Sequence, residues 1–185
     1  MAAAPFTANA IAGGPYTVTA AATGLTTVNF SLTNTSGTPA TMSANAGTTP
    51  QSATISTAFA NALAVTVRDA GNNPVAGVNV TFTAPGSGAS GLFSNSTTTI
   101  TVATNASGVA AAPFTANGTA GGPYTVTAAA AGLTTVNFSL TNTAGAATSM
   151  TANAGTTPQS TTINAAFANA LAVTVRDAGN NPVAG

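Results

Sequence analysis

The chain contains no cysteine, histidine, lysine, glutamate or tryptophan, and its charged side chains number four in 185 residues: Arg68, Asp69, Arg176 and Asp177. Each absence removes a class of chemistry. Without Cys, His or Glu there is no ordinary ligand set for zinc or another transition metal. Two Asp residues a full 108 positions apart cannot build a carboxylate-rich calcium cage. General acid–base catalysis would rest on those two carboxylates, so we expect no catalytic residues, no cofactor-binding residues, no metal site and no enzyme. Two Arg and no Lys leave no basic patch for phosphates, which argues against a nucleic-acid partner. The missing cysteines rule out disulfides. They do not place the chain inside a cell, because a sandwich-sized core does not need staples. The missing lysines also rule out Lys–Asn isopeptide crosslinks. No apolar run approaches the roughly 20 residues of a membrane span. The first residues, MAAAPFTANAIAGG, lack both a basic start and a continuous apolar stretch, so any secretion signal is expected outside this sequence.

What remains is Ala, Thr, Gly, Asn and Ser, with eight Phe and two Tyr. These residues alternate. In the organising stretch 62–84, ALAVTVRDAGNNPVAGVNVTFTA, Leu63, Val65 and Val67 face one way and Ala64, Thr66 and Arg68 the other. A turn built from Gly71, Asn72, Asn73, Pro74 and Gly77 follows. Beyond it Val78, Val80 and Phe82 point inward, and Asn79, Thr81 and Thr83 outward. A Gly-rich loop at 86–91 and a short strand around Leu92 and Phe93 come next. Residues 97–104 alternate with Ile100 and Val102 inside, and 105–108 (NASG) turn the chain. Residues 109–117 read as one strand, with Pro113 suited to an edge or a bulge because it cannot donate to a ladder. Strands at 124–131 and around Val136, Phe138 and Leu140 complete the series. Upstream, 41–46 and 53–56 read as a split first strand, interrupted at Thr49 and Pro50. No useful stretch carries a 3.6-residue apolar period. The Ala-rich pieces sit beside Tyr124, Thr125, Val126 and Thr127, which favour strand. Seven to nine short strands in about 100 residues, with turns every 8–12, indicate an antiparallel β-sandwich of immunoglobulin type.

The pattern recurs. Pro5 matches Pro113, Tyr16 matches Tyr124, Met42 matches Met150 and Asp69 matches Asp177, always at an offset of 108 with no gap. Laying 1–77 on 109–185 leaves 13 differences, so 64 of 77 positions are identical. A period of 108 is the size of a whole domain rather than of a solenoid coil. The seam falls at the small-residue stretch 36–39 (SGTP) and its counterpart 144–147 (AGAA). We therefore expect a C-terminal part of one unit at 1–37, a complete unit at 38–145 and an N-terminal part of the next at 146–185. Two or three strands are marginal alone in water. We expect the chain to belong to a longer array. The competing expectation, in which the tail of one copy completes the head of the next, would leave 78–108 without a counterpart and a hole in the core.

The run VTVRDAGNNPVAGVNVTFTAP, followed by SGLFSNSTTTITVATNASGVA and GGPYTVTAAAAG, resembles the bacterial immunoglobulin-like repeats of the invasin and intimin type. The matching pieces are 67–82, 104–109 and 124–128, and the likeness covers the whole 108-residue unit. It implies tandem immunoglobulin-like sandwiches at the cell surface or outside the cell, as a spacer, a stalk or the body of a filament. The implied partners are neighbouring repeats of the same protein in a homopolymeric or fibre assembly. The alternative is an adhesin module that binds a glycan or host protein through loops at one pole. The family has no common ligand, so the resemblance supplies no binding residues.

Four features are candidates for chemistry. Asp69 reads as the opener of its turn, accepting backbone N–H groups, with Arg68 on the outer face. The alternative is a pair contacting a ligand or a neighbouring domain. The loop 86–91 (GSGASG) lacks the Lys and following helix of a phosphate cradle and reads as a mobile connection. The Thr ladders Thr97-Thr99-Thr101 and Thr125-Thr127 suit exposed strand faces, with an ice-binding face as the sharper alternative. Sequons at Asn29, Asn34, Asn79, Asn95, Asn105, Asn117 and Asn137 make glycans a candidate partner where the host attaches them. Zero net charge removes repulsion between chains and favours association.

Overall fold

The computed structural model describes residues 1–184; Gly185, the last residue of the third sequence-defined segment, lies outside the described residues. Fourteen strands and no helix occur among the described residues. A hairpin, β1 (Gly13–Ala20) and β2 (Val28–Asn34), comes first. Then follow β3 (Pro39–Ala44), β4 (Gln51–Thr54), β5 (Leu63–Asp69), β6 (Asn79–Thr83) and β7 (Gly91–Phe93). After these come β8 (Thr99–Ala103), β9 (Val109–Ala112), β10 (Phe114–Ala116), β11 (Gly121–Ala129) and β12 (Val136–Thr143). The last pair is β13 (Ala147–Ala152) and β14 (Val173–Asp177).

Strands β3 to β12 form an all-β sandwich. One layer runs β4-β12-β11-β6-β8, and the core separates it from the β3-β5-β9 and β10-β7 sheets. Pairing is antiparallel except between β4 and β12. The alternation read from the sequence becomes burial: Leu63, Val65 and Val67 on β5 and Val80 and Phe82 on β6 are covered, while Asn79 and Thr83 face out. Five phenylalanines cross the core in a chain of ring contacts. Phe59 stacks on Phe114 at 5.8 Å, Phe114 meets Phe93 at 4.7 Å, Phe93 meets Phe82 at 6.2 Å, and Phe82 meets Phe138 at 6.1 Å. Each buried side chain of this kind contributes roughly 1.5–3 kcal/mol.

Prolines mark the points where the chain changes sheets. β3 pairs with β5, whereas β4, beyond Thr49 and Pro50, pairs with β12 in the other layer. The expected single strand at 109–117 is broken in the same way. β9 pairs with β5, and β10, after Pro113, pairs with β7. Pro113 has no N–H to give to either ladder, so it stands between two ladders rather than on an edge or at a bulge. The expected strand at 97–104 begins only at Thr99, because Thr97 turns inward on Asn95 and bonds its Oδ1 through both N–H and hydroxyl.

The flanking segments reproduce parts of this fold. β1 pairs with β2 in the register Tyr16↔Leu32 and Val18↔Phe30. β11 pairs with β12 in the register Tyr124↔Leu140 and Val126↔Phe138, with the same irregularity after Gly13 and Gly121. Likewise Met150↔Val175 on β13 and β14 repeats Met42↔Val67 on β3 and β5.

Candidate functional site

The turn after β5 is where one sandwich meets the segment before it. Asn72 takes a left-handed conformation, φ 65°, which an Asn tolerates, and this reverses the chain so that Asn73 returns beside Asp69. The Asp69 carboxylate then accepts three kinds of donor. Oδ1 accepts from the Asn73 N–H at 2.8 Å, and both oxygens accept from Asn73 Nδ2 at 3.1 and 3.0 Å. Oδ2 accepts from the Gly37 N–H, in the linker after β2, at 2.7 Å. Thus Asp69 opens its own turn, as expected, and also binds the neighbouring segment, the alternative weighed beside it. Arg68 takes no part in the carboxylate's shell; its guanidinium donates to Asn72 O at 2.8 Å.

Asn73 extends the contact. With Nδ2 oriented by the carboxylate, it donates to Ala10 O at 2.9 Å, and its Oδ1 accepts from the Ala12 N–H at 2.9 Å. An amide side chain therefore reads one carbonyl and one N–H of the loop 9–12, and no side chain of it. Gly71 sits in the same groove, where a Cβ would stand 3.0 Å from Ala10 O.

The arrangement is built a second time, 108 residues on. Asp177 accepts from the Gly145 N–H and the Asn181 N–H at 2.8 Å each, and from Asn181 Nδ2 at 3.0 Å on both oxygens. Asn181 donates to Gly118 O at 3.0 Å and accepts from the Ala120 N–H at 2.9 Å. A Cβ on Gly179 would stand 2.7 Å from Gly118 O and 3.1 Å from Ile55 Cδ1, so an apolar contact from the central sandwich joins this second joint. The two loops differ in sequence, Ala10-Ile11 against Gly118-Thr119, yet the contacts agree to about 0.1 Å because they are made to the backbone.

Behind each loop stands a second clasp. Tyr124 Oη–H donates to Asn142 Oδ1 at 2.8 Å, and Asn142 Nδ2 donates to Asn117 Oδ1 at 3.0 Å, Thr119 O at 3.1 Å and Ser90 O at 2.9 Å. Tyr16, Asn34 and Asn9 repeat it, with Asn34 Nδ2 reaching Asn9 Oδ1 and Ile11 O. Each loop is gripped by Asn34 or Asn142 on one side and by Asn73 or Asn181 on the other. Asn142 is fully buried, and no buried side-chain polar atom among the described residues lacks a partner. Burial pushes the Tyr124 phenol up to about 12. The Asp carboxyls move the other way. At Asp69 the Gly37 N–H, then the Asn73 side chain and N–H, hold the carboxyl below its ordinary range against a smaller effect of burial. At Asp177 burial is the largest single influence and acts upward, but the hydrogen bonds from Gly145 and Asn181 together outweigh it.

The other candidates fall elsewhere. The loop 86–91 is fastened at Gly88 and Ser90: Asn117 Nδ2 donates to Gly88 O at 2.8 Å, and Ser90 O accepts from Asn142. The turn 105–108 is exposed at Asn105, whose Oδ1 accepts from the Ser107 and Val109 N–H groups. The two Thr ladders share a sheet through β6, in the row Thr99↔Thr83↔Thr127, and Thr81 and Thr101 hydroxyls bond at 2.9 Å. Among the sequons, Asn34 and Asn117 are engaged in the clasps; Asn29, Asn79, Asn95, Asn105 and Asn137 are exposed, with Asn95 Nδ2 bonded to Thr99 O.

The sequence pattern marks Asn73 as a turn residue only. A usable signal was present: none of the 13 differences between the copies falls in 58–77, the stretch that carries the whole turn. No family model and no curated protein matches the chain. Among solved structures, the chain is similar to the surface layer protein SbsC, domains 1–6, at 21% identity and a TM-score of 0.42, over 85% of this chain and 18% of that one.

Proposed function

We propose that the chain is a length-setting segment of an extracellular or cell-surface fibre, a spacer or stalk made of immunoglobulin-like sandwiches of the invasin and intimin type strung end to end. Its units are 1–37, 38–145 and 146–185, and its partners are neighbouring units of the same kind. Its work is geometric rather than catalytic. The observation that carries this reading is the joint made twice with the same contacts, 108 residues apart, by Asp69 with Asn73 and by Asp177 with Asn181. A pair of side chains that grips the linker with one member and the loop of the preceding unit with the other restrains bending and rotation together, so each added unit extends a line. The exposed Asn29, Asn79, Asn105 and Asn137 are the positions where a glycosylating host would add sugars.

Electron microscopy of the native assembly tests the reading. The expected result is a rod or filament with an axial repeat of one unit. Flexible beads with variable spacing would overturn it. Saturable ligand binding by a single unit, abolished by changes in 86–91 or 105–108, would replace it with the adhesin.

A further inference from the structure

Asp69 and Asp177 are surrounded by donors alone. Asp69 receives Gly37 N–H, Asn73 N–H and Asn73 Nδ2–H; Asp177 receives Gly145 N–H, Asn181 N–H and Asn181 Nδ2–H. Both Asp residues are mostly covered, at 7% and 3% exposure. An ionised carboxylate is acceptor-only and fits such a shell. A protonated one gives up an acceptor oxygen of that shell and places an O–H facing N–H groups. The same carboxylate orients the amide of Asn73 or Asn181, which in turn holds the preceding loop, so the charge supports the hydrogen bonds across the joint.

We propose that the joint is a proton-released lock: protonation of Asp69 and Asp177 frees each sandwich from its neighbour while the sandwiches stay folded. This rests on the reading of the joint as the element that holds successive units in line. The groups facing the carboxylates are few. Arg68 and Arg176 precede them in sequence and give their guanidiniums to Asn72 O and Asn180 O. The loops 9–12 and 117–120, the linkers 36–38 and 144–146 and Ile55 carry no titratable side chain, and the only other ionisable side chains, Tyr16 and Tyr124, bond Asn34 and Asn142. No buried core residue of the sandwich titrates in acid. The direction of the carboxyl pKa agrees. It is lowered in the locked state, so the lock's stability is complete above the ordinary Asp range and is lost as pH falls through the lowered value.

The absence of native cysteine makes the test direct. Spin labels on Ala103→Cys and Ser149→Cys, both at exposed positions, report the distance across the second joint in the full chain. At neutral pH a single narrow distance is expected. On acidification that distance should be lost, with the midpoint of the carboxyl carbon-13 titration of Asp177, while the β-sheet circular dichroism stays unchanged. Asp177→Asn, which puts an amide N–H where an acceptor is needed, should lose the narrow distance at neutral pH. A distance that stays narrow through complete titration of Asp177 overturns the proposal and leaves the spacer reading standing, as does loss of the distance only with loss of circular dichroism. A narrow distance in Asp177→Asn at neutral pH overturns it equally. A broad distance in the unsubstituted joint at neutral pH overturns the spacer reading itself.

Discussion

Phe138 and Phe30 occupy the same place in two hairpins of the same register, yet Phe138 is fully buried and Phe30 is 50% exposed. Phe114 and Phe6 repeat the contrast at 2% and 62%, and Leu63 and Leu171 differ in the same sense on the other side of the sandwich. The local sequence is shared, so local sequence does not account for the difference. The central sandwich contains 78–108, with β6, β7 and β8, a stretch present once in the sequence. Strand pairing, bulge placement and turn geometry are thus specified within each hairpin, whereas burial depends on elements that arrive from elsewhere in the chain. The polar staples follow the local rule. Gln51 and Asn61 exchange hydrogen bonds, as do Gln159 and Asn169, whether or not a core lies beneath them.

The comparison can be broken most sharply at its aromatic pair. Phe138→Ala should cost about 3–5 kcal/mol in the denaturant unfolding of the central sandwich, the usual toll of emptying a packed aromatic site. Phe30→Ala, outside the core of the central sandwich, should change that sandwich's unfolding by less than about 0.5 kcal/mol. Comparable losses in both would mean that the first hairpin and the central sandwich unfold as one unit.

The next largest contrast is the clasp. Asn142→Ala leaves the buried Ser90 carbonyl and the half-buried Tyr124 hydroxyl only their 3.4 Å contact with each other and should cost about 1–3 kcal/mol. Asn34→Ala leaves its partners open to water and should cost about 1 kcal/mol or less, measured by hydrogen exchange at β1 and β2. A smaller effect, seen only in alkali, concerns Tyr124 alone. Its folded pKa is raised to about 12, so the stability it lends is whole below the ordinary phenol value and fades as pH rises through about 12. Ultraviolet titration should locate that step, and a Tyr124 that ionises like a free phenol would remove the clasp from the list of buried supports.

Much of this was legible beforehand. Period-two alternation located β5, β6, β11 and β12 and the side chains they bury, and the GNNP turn located the reversal after Asp69. Three things were not. The exchange of sheets at Pro50 and Pro113 depends on which ladder each half-strand meets, and a missing N–H says only that some ladder ends. The bonds of Asn73 and Asn181 reach residues 61 and 63 positions away and end on backbone atoms, which leave no trace in side-chain pattern. The fastening of 86–91 depends on Asn117 and Asn142 from distant strands, so its glycine content alone suggested looseness.

The joint's indifference to the side chains of the loop it grips has an evolutionary reach. A turn that recognises only a carbonyl and an N–H will accept any neighbour whose loop has the right shape, including one newly duplicated or imported by recombination. In an array of the kind proposed, copies could then be inserted, deleted or allowed to drift without renegotiating their boundaries, and its length would follow gene copy number rather than interface redesign.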